Sequence, residues 1–173
     1  MAVEPAVRPH RIELSLSPGT MYEEGPAAED ILPGMLIERV PGTGKGEDGA
    51  DFDRHDVRPH SVADTRGEMF FAVEDALQGR TIDDSYLADP AGDDSLQGDV
   101  VMYRVALPGD KLYLLVDGNV SYDDGDALTS KGDGTLKKAS GGYPGDESVI
   151  AVATETLDLT GEADAHIRCR IVS

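Results

Sequence analysis

Residues 114–140, "LLVDGNVSYDDGDALTSKGDGTLKKAS", decide how this chain folds. An apolar run ends in a turn at Asp117, Gly118 and Asn119, a short strand follows, and the chain turns again at Asp124 and Gly125. Within residues 126–139, Ala127 and Leu128 form a short apolar segment, Gly132, Asp133 and Gly134 make another turn, and a last strand closes the stretch. Asp and Asn side chains bond the backbone of their own turns, and glycine supplies positive φ. The acids in this stretch are therefore read as turn formers.

A calcium loop is the competing reading. Asp117, Asn119, Ser121 and Asp123 do alternate like the first half of an EF-hand. That geometry then requires Gly at the sixth place and a bidentate Glu at the twelfth. Tyr122 and Leu128 stand there instead. The spacing excludes it.

Strand signals of the same kind recur outward from this segment. "RIELSL" places Ile12, Leu14 and Leu16 on one face, and "AHIRCRIVS" alternates with period two around Ile167, Cys169 and Ile171. "GMLIERV", "EMFFAVEDAL" and "ESVIAVATETLDL" are further strand candidates, while "DVVMYRVAL" and "DKLYLLVDG", joined by "PGD", read as a hairpin. Only "VEDALQG" offers a short helix, stopped at Gly79. Short strands with Gly and Pro punctuation indicate an all-β chain with at most one or two short helices. The expected form is a small β-barrel or β-tulip-like sandwich with an N-terminal arm and long acidic loops.

Two domain-level regions are expected: an arm over 1–20, and a β-rich domain over 21–173 with exposed loops at 41–67 and 81–99. Loop 41–67 shows no apolar periodicity, and loop 81–99 carries six aspartates and no base. The arm holds prolines 5, 9 and 18 and is nearly neutral.

The chain has 34 acidic and 15 basic residues in 173, a formal charge of −19, and the acids are scattered. Such charge strains a compact fold by self-repulsion, and salt relieves it. This points to a protein adapted to high salt. It also argues against nucleic acid and against an anionic membrane as direct partners, since both demand a basic face. A single cysteine, Cys169, excludes an intramolecular disulfide. The start of the chain lacks a signal-peptide core, so synthesis in the host cytoplasm is expected.

No motif points to catalysis. "GKGEDG" (44–49) spells a dinucleotide fingerprint, but no helix pattern follows and its two acids oppose a pyrophosphate. His55 and His60 lie near Asp53 and Asp56 without a recognised metal spacing. His166 is expected to face solvent. No nucleophile elbow is present. The reading is non-enzymatic, with no cofactor and no metal.

The order of these elements resembles that of the capsid decoration, or cement, proteins of tailed viruses. The resemblance rests on "LPGDKLYLLVDGNVSYDDGDALTSKGDGTLKKAS", on "ESVIAVATETLDL" with the closing strand, and on "ILPGMLIERV" upstream. "FFAVEDALQGRTIDDSYLAD" and "GDVVMYRVALPGD" look like the versions from viruses of halophilic archaea. It spans roughly residues 30–173. The resemblance implies a homotrimer on the outer surface of an icosahedral virion. There it would bind the major capsid protein and stabilise contacts between its subunits.

The arm is the expected contact, because an alternating strand can add to a sheet edge on a shell subunit. Arg8, His10, Arg11, Ile12, Leu14 and Leu16 are the residues assigned to it. The alternative is a non-catalytic binding module of a halophile, a cell-surface or carbohydrate-binding β-domain.

Overall fold

The computed structural model describes residues 11–15, 21–41, 55–88 and 98–172. All regular structure among them is β, as the sequence predicts. Thirteen strands form two barrels and one two-stranded ribbon.

The chain enters through β1 (Glu13–Ser15), builds most of one sheet, and then builds the other. The first barrel consists of β7 (Lys111–Val116), β9 (Ala127–Ser130), β10 (Leu136–Lys138), β11 (Ala151–Ala153) and β13 (Ala165–Ile171). It closes because β13 pairs with β7 over six residues, from Ala165 opposite Val116 to Arg170 opposite Lys111. On the other edge of β7, β10 reaches only Val116, and β1 pairs with Lys111 and Leu112. Two short strands thus cover one long edge, and closure removes the open ladder that invites aggregation. The ribbon pairs β8 (Ser121–Tyr122) with β12 (Leu157–Asp158).

Alternation fixes which side chains fill this barrel. Ile167, Cys169 and Ile171 point inward from β13 and meet Leu112, Leu114, Leu128 and Leu136, all buried. Each such apolar side chain contributes about 1.5–3 kcal/mol on burial. Burial drives the Cys169 thiol far above its ordinary pKa, so it behaves as a small hydrophobe.

The second sheet runs β2 (Tyr22–Pro26), β6 (Val100–Val105), β5 (Phe70–Ala72), β3 (Leu36–Arg39) and β4 (Val57–Pro59), all antiparallel. It curls until Ala27 bridges Val57, where Ala28 N–H donates to Val57 O at 2.8 Å. Gly25 is required at this seam, because a Cβ there would lie 2.2 Å from His55 O.

The strands of this sheet bury both faces. Ile37, Phe70, Ala72, Val101 and Tyr103 line its own core. Leu36, Phe71 and Val73 face the other way, into the core of the first barrel. That double burial explains the unbroken apolar run "MFFAV". Main-chain bonds knit the barrels together: Leu36 N–H donates to Gly134 O at 2.8 Å, and Leu115 N–H to Gly34 O at 3.0 Å.

Several sequence expectations need correction. The segments around "PGD" are no hairpin: β6 belongs to the second sheet and β7 to the first. The turn itself exists, with Asp110 N–H bonded to Leu107 O and Gly109 at φ +97°. It carries the chain from one barrel to the other. The short helix at 73–79 is a turn instead, because Asp75 Oδ1 accepts the N–H groups of Leu77 and Gln78 and Gly79 takes φ +73°. Loop 41–67 contains β4, with Val57 and His60 buried. Loop 81–99 is anchored by buried Tyr86, whose hydroxyl donates to Val73 O at 2.7 Å.

Candidate docking surface

The acids of the opening stretch do serve its turns. Asp126 Oδ2 accepts Asp123 N–H at 2.7 Å, and Asp133 Oδ1 accepts both N–H and hydroxyl of Thr135. Lys131 joins Asp117 and Asp133 at 2.7 and 2.9 Å, and Lys138 holds Asp126 at 2.6 Å. Burial works to raise the pKa of Asp126 and Asp133, but hydrogen bonds and lysines outweigh it and hold both below the ordinary range.

The two histidines of loop 41–67 have different surroundings. His55 is half-buried beside the seam. His60 sits between the barrels, with Nδ1 2.8 Å from Ser130 Oγ and Nε2 3.8 Å from Glu38 Oε2. Burial depresses its pKa, partly offset by Glu38. Ser130 is fully enclosed and also accepts Gly132 N–H, so this group staples one barrel to the other. His166 does not face solvent: its Nε2–H donates to Pro33 O at 2.8 Å, under Gly34. A Cβ on Gly34 would come within 2.8 Å of that ring. The second barrel covers this end of β13, which alternation within one strand cannot reveal.

The arm residues divide. Arg8, His10 and Leu16 lie outside the described residues, as does the side chain of Leu14. Arg11 is exposed. Ile12 is fully buried in this chain's own core, and its carbonyl accepts Tyr113 N–H at 2.7 Å. The alternating strand that sequence assigned to a foreign edge is thus spent, over Glu13–Ser15, on β7 of the same molecule. The gap that β10 leaves beside β7 is the nearest unpaired edge, so β1 fills it.

Below β1 lies a polar cluster that sequence reasoning missed. Arg104 is wholly buried and pairs with wholly buried Asp110, while its Nη1 reaches Glu13 Oε1 at 3.1 Å. Tyr22 donates its hydroxyl to the same Glu13 oxygen at 2.6 Å. Burial, then that bond, pushes the Tyr22 phenol up to about 12. Asp110 also accepts Leu107 N–H at 2.9 Å. This network roots β1, and with it the point where the first ten residues join the fold. The signal was available: an arginine amid apolar residues of a buried strand needs an acid close by.

Exposed apolar groups are scattered. Met21 and Tyr22 sit near this root, Val62, Leu77 and Tyr143 stand on separate loops, and Leu87 lines an open depression of 510 Å³. Arg80 lines that depression and is held by Ser85 O and Asp99 at 2.8 Å each.

No protein-family model matches the sequence, and no curated protein matches it. A solved structure does match: the N base of the head fiber gp8.5 in bacteriophage phi29. The two superpose with a TM-score of 0.51 over 88% of this chain and 93% of that one, at 13% identity. The chains share a fold. At that identity the likeness extends to architecture alone.

Proposed function

We propose that this protein is a structural component of a virion, without catalytic activity, which docks on the outer surface of an icosahedral capsid. It binds the major capsid protein there as a homotrimer and stabilises contacts between neighbouring shell subunits. The observation that carries this reading is the fold shared with a phage head fiber base across nearly the whole chain. The order of turns and strands in 114–173 supports it from the sequence side.

The division of labour follows from the root of the arm. Residues 11–15 belong to the first barrel, and the Arg104 cluster holds them there. Residues 1–10 are then the portion assigned to the shell. Strand addition through main-chain bonds suits such a segment, because affinity then depends little on its side chains. The acidic remainder faces solvent and keeps particles apart.

Particle stability tests this. Virions assembled without the protein are expected to release DNA at a lower temperature than complete ones, and adding the purified protein back restores the difference. Identical release temperatures, with and without it, would count against a stabilising role.

A further inference from the structure

The acidic chain keeps one face basic. Among the described residues, Arg39, Arg58, Arg80, Arg104, Lys131, Lys137 and Lys138 each hold a carboxylate. Arg11, Arg66, Lys111, Arg168 and Arg170 are exposed, and no ion pair with a described residue engages them. All of these but Arg66 gather on the outside of the first barrel.

Register places them there. Arg170 stands opposite Lys111, and Arg168 opposite Tyr113, so these side chains share the outer face of the β7–β13 pair. Arg11 precedes inward-facing Ile12, whose carbonyl bonds Tyr113 N–H, so it enters the fold beside the same tyrosine. Val152, buried, pairs with Arg170 across β11. Glu155 marks the border of this face, where Oε1 accepts Arg168 N–H at 2.7 Å, and Arg168 Nη2 donates to Thr154 O at 3.0 Å.

We infer that this face is a docking surface for an acidic patch on a shell subunit, bound through Arg11, Lys111, Arg168 and Arg170 around Tyr113. The inference rests on the virion reading and adds the chemistry of the contact. Charge complementarity argues for it: the chain carries 34 acids, yet these four bases share one face with no ion pair among the described residues. The position argues for it too. The face begins at Arg11, where residues 1–10 join the fold. The formal charge of −19 opposes nucleic acid and an acidic protein alike at long range, so duplex DNA is set against polyglutamate in the test. The contacts are close pairs, so salt slows capture more than it speeds release.

The test measures sedimentation of the full chain with purified capsids, and separately its capture on immobilised polyglutamate. Lys111→Glu and Arg170→Glu serve as variants, since neither side chain bonds a described residue. Arg66→Glu, an exposed base on another loop, is the control. Each face variant is expected to weaken capsid binding about tenfold, and the pair about a hundredfold, while the control changes it less than about twofold. Melting temperatures measured in parallel confirm folding, and Lys111→Gln with Arg170→Gln gives a milder version of the same loss.

Full capsid binding by the folded double variant would overturn the inference and leave the virion reading standing. If the wild type ignores capsids yet loses polyglutamate capture on reversal, the virion reading fails and the acid-binding face survives. Preference for duplex DNA over polyglutamate would overturn the assigned partner. So would self-association of the wild type that Arg170→Glu abolishes.

Discussion

Arg104 and Asp110 form a fully enclosed ion pair at the turn that carries the chain from the second barrel into the first. Asp110 also caps that turn through Leu107 N–H, and Arg104 reaches on to Glu13 of β1. One buried pair therefore fixes a crossing, a turn and the root of the N-terminal segment.

Breaking this pair from one side strands a charge in the core. Arg104→Met or Asp110→Asn alone is expected to cost about 3–5 kcal/mol, read as a fall in the urea midpoint at unchanged slope. Replacing both with apolar residues recovers part of the loss. Independent, additive losses in the two single variants would show that the residues do not act together.

The N-terminus gives a second expectation. Deleting residues 1–10 spares Ile12 and Glu13 and serves as the reference. Deleting 1–15 removes Ile12 from the core, bares the edge of β7 and strips Glu13 from Arg104. That loss is expected to exceed about 3 kcal/mol in unfolding free energy. Scanning calorimetry separates the two truncations.

Acid should loosen the structure through two histidines before it reaches the carboxylates. Burial holds His60 and His166 below their ordinary value of 6.5, against the pull of Glu38 on one and Pro33 O on the other. The unfolded chain therefore binds protons at higher pH than the fold does, so this stability is complete above about 6.5 and declines as pH falls below it. Asp126 and Asp133 lie lower than the ordinary 3.8 and add their own loss only beneath that value. Urea midpoints between pH 8 and 5 should fall, and the His60→Gln, His166→Gln double variant should flatten the slope.

The seam of the second barrel offers a steric test. Gly25→Ala places a methyl group 2.2 Å from His55 O, and that backbone atom has no flexible end to move aside. The expected loss is about 1–3 kcal/mol, with faster hydrogen exchange at Ala28, whose N–H closes the seam. Unchanged exchange at Ala28 would mean that the bridge does not hold the barrel shut.

Much of this architecture was readable in the residues. β13 alternates strictly, so its inward Ile167, Cys169 and Ile171 follow from period two alone. The turn aspartates were legible because Asx bonding is local. Partition between two barrels was not, since a turn such as Leu107 to Asp110 fixes a change of direction without saying which sheet the next strand joins. β4 escaped notice because three residues are too few for periodicity, and Val57 stands among Asp and Arg. His166 and Leu115 misled or stayed silent for one reason: the second barrel buries an outer face that alternation assigns to water. The basic face was hidden in the same way, because Arg11, Lys111 and Arg170 meet only through long-range pairing.

The composition carries its own expectation. With 34 acids against 15 bases, self-repulsion should fall as salt rises, so the melting temperature should climb between about 0.1 M and 2 M NaCl. A melting temperature that stays level or drops would remove the case for adaptation to brine.

Binding to a viral shell is the claim on which the functional account stands. Virus particles from the cells that make this protein, purified on a density gradient and quantified by mass spectrometry, test it most directly. The account expects the protein in the particle fraction at a fixed ratio to the major capsid protein, released by mild treatment as trimers. Protein found only in the soluble fraction, with none on intact particles, would contradict it.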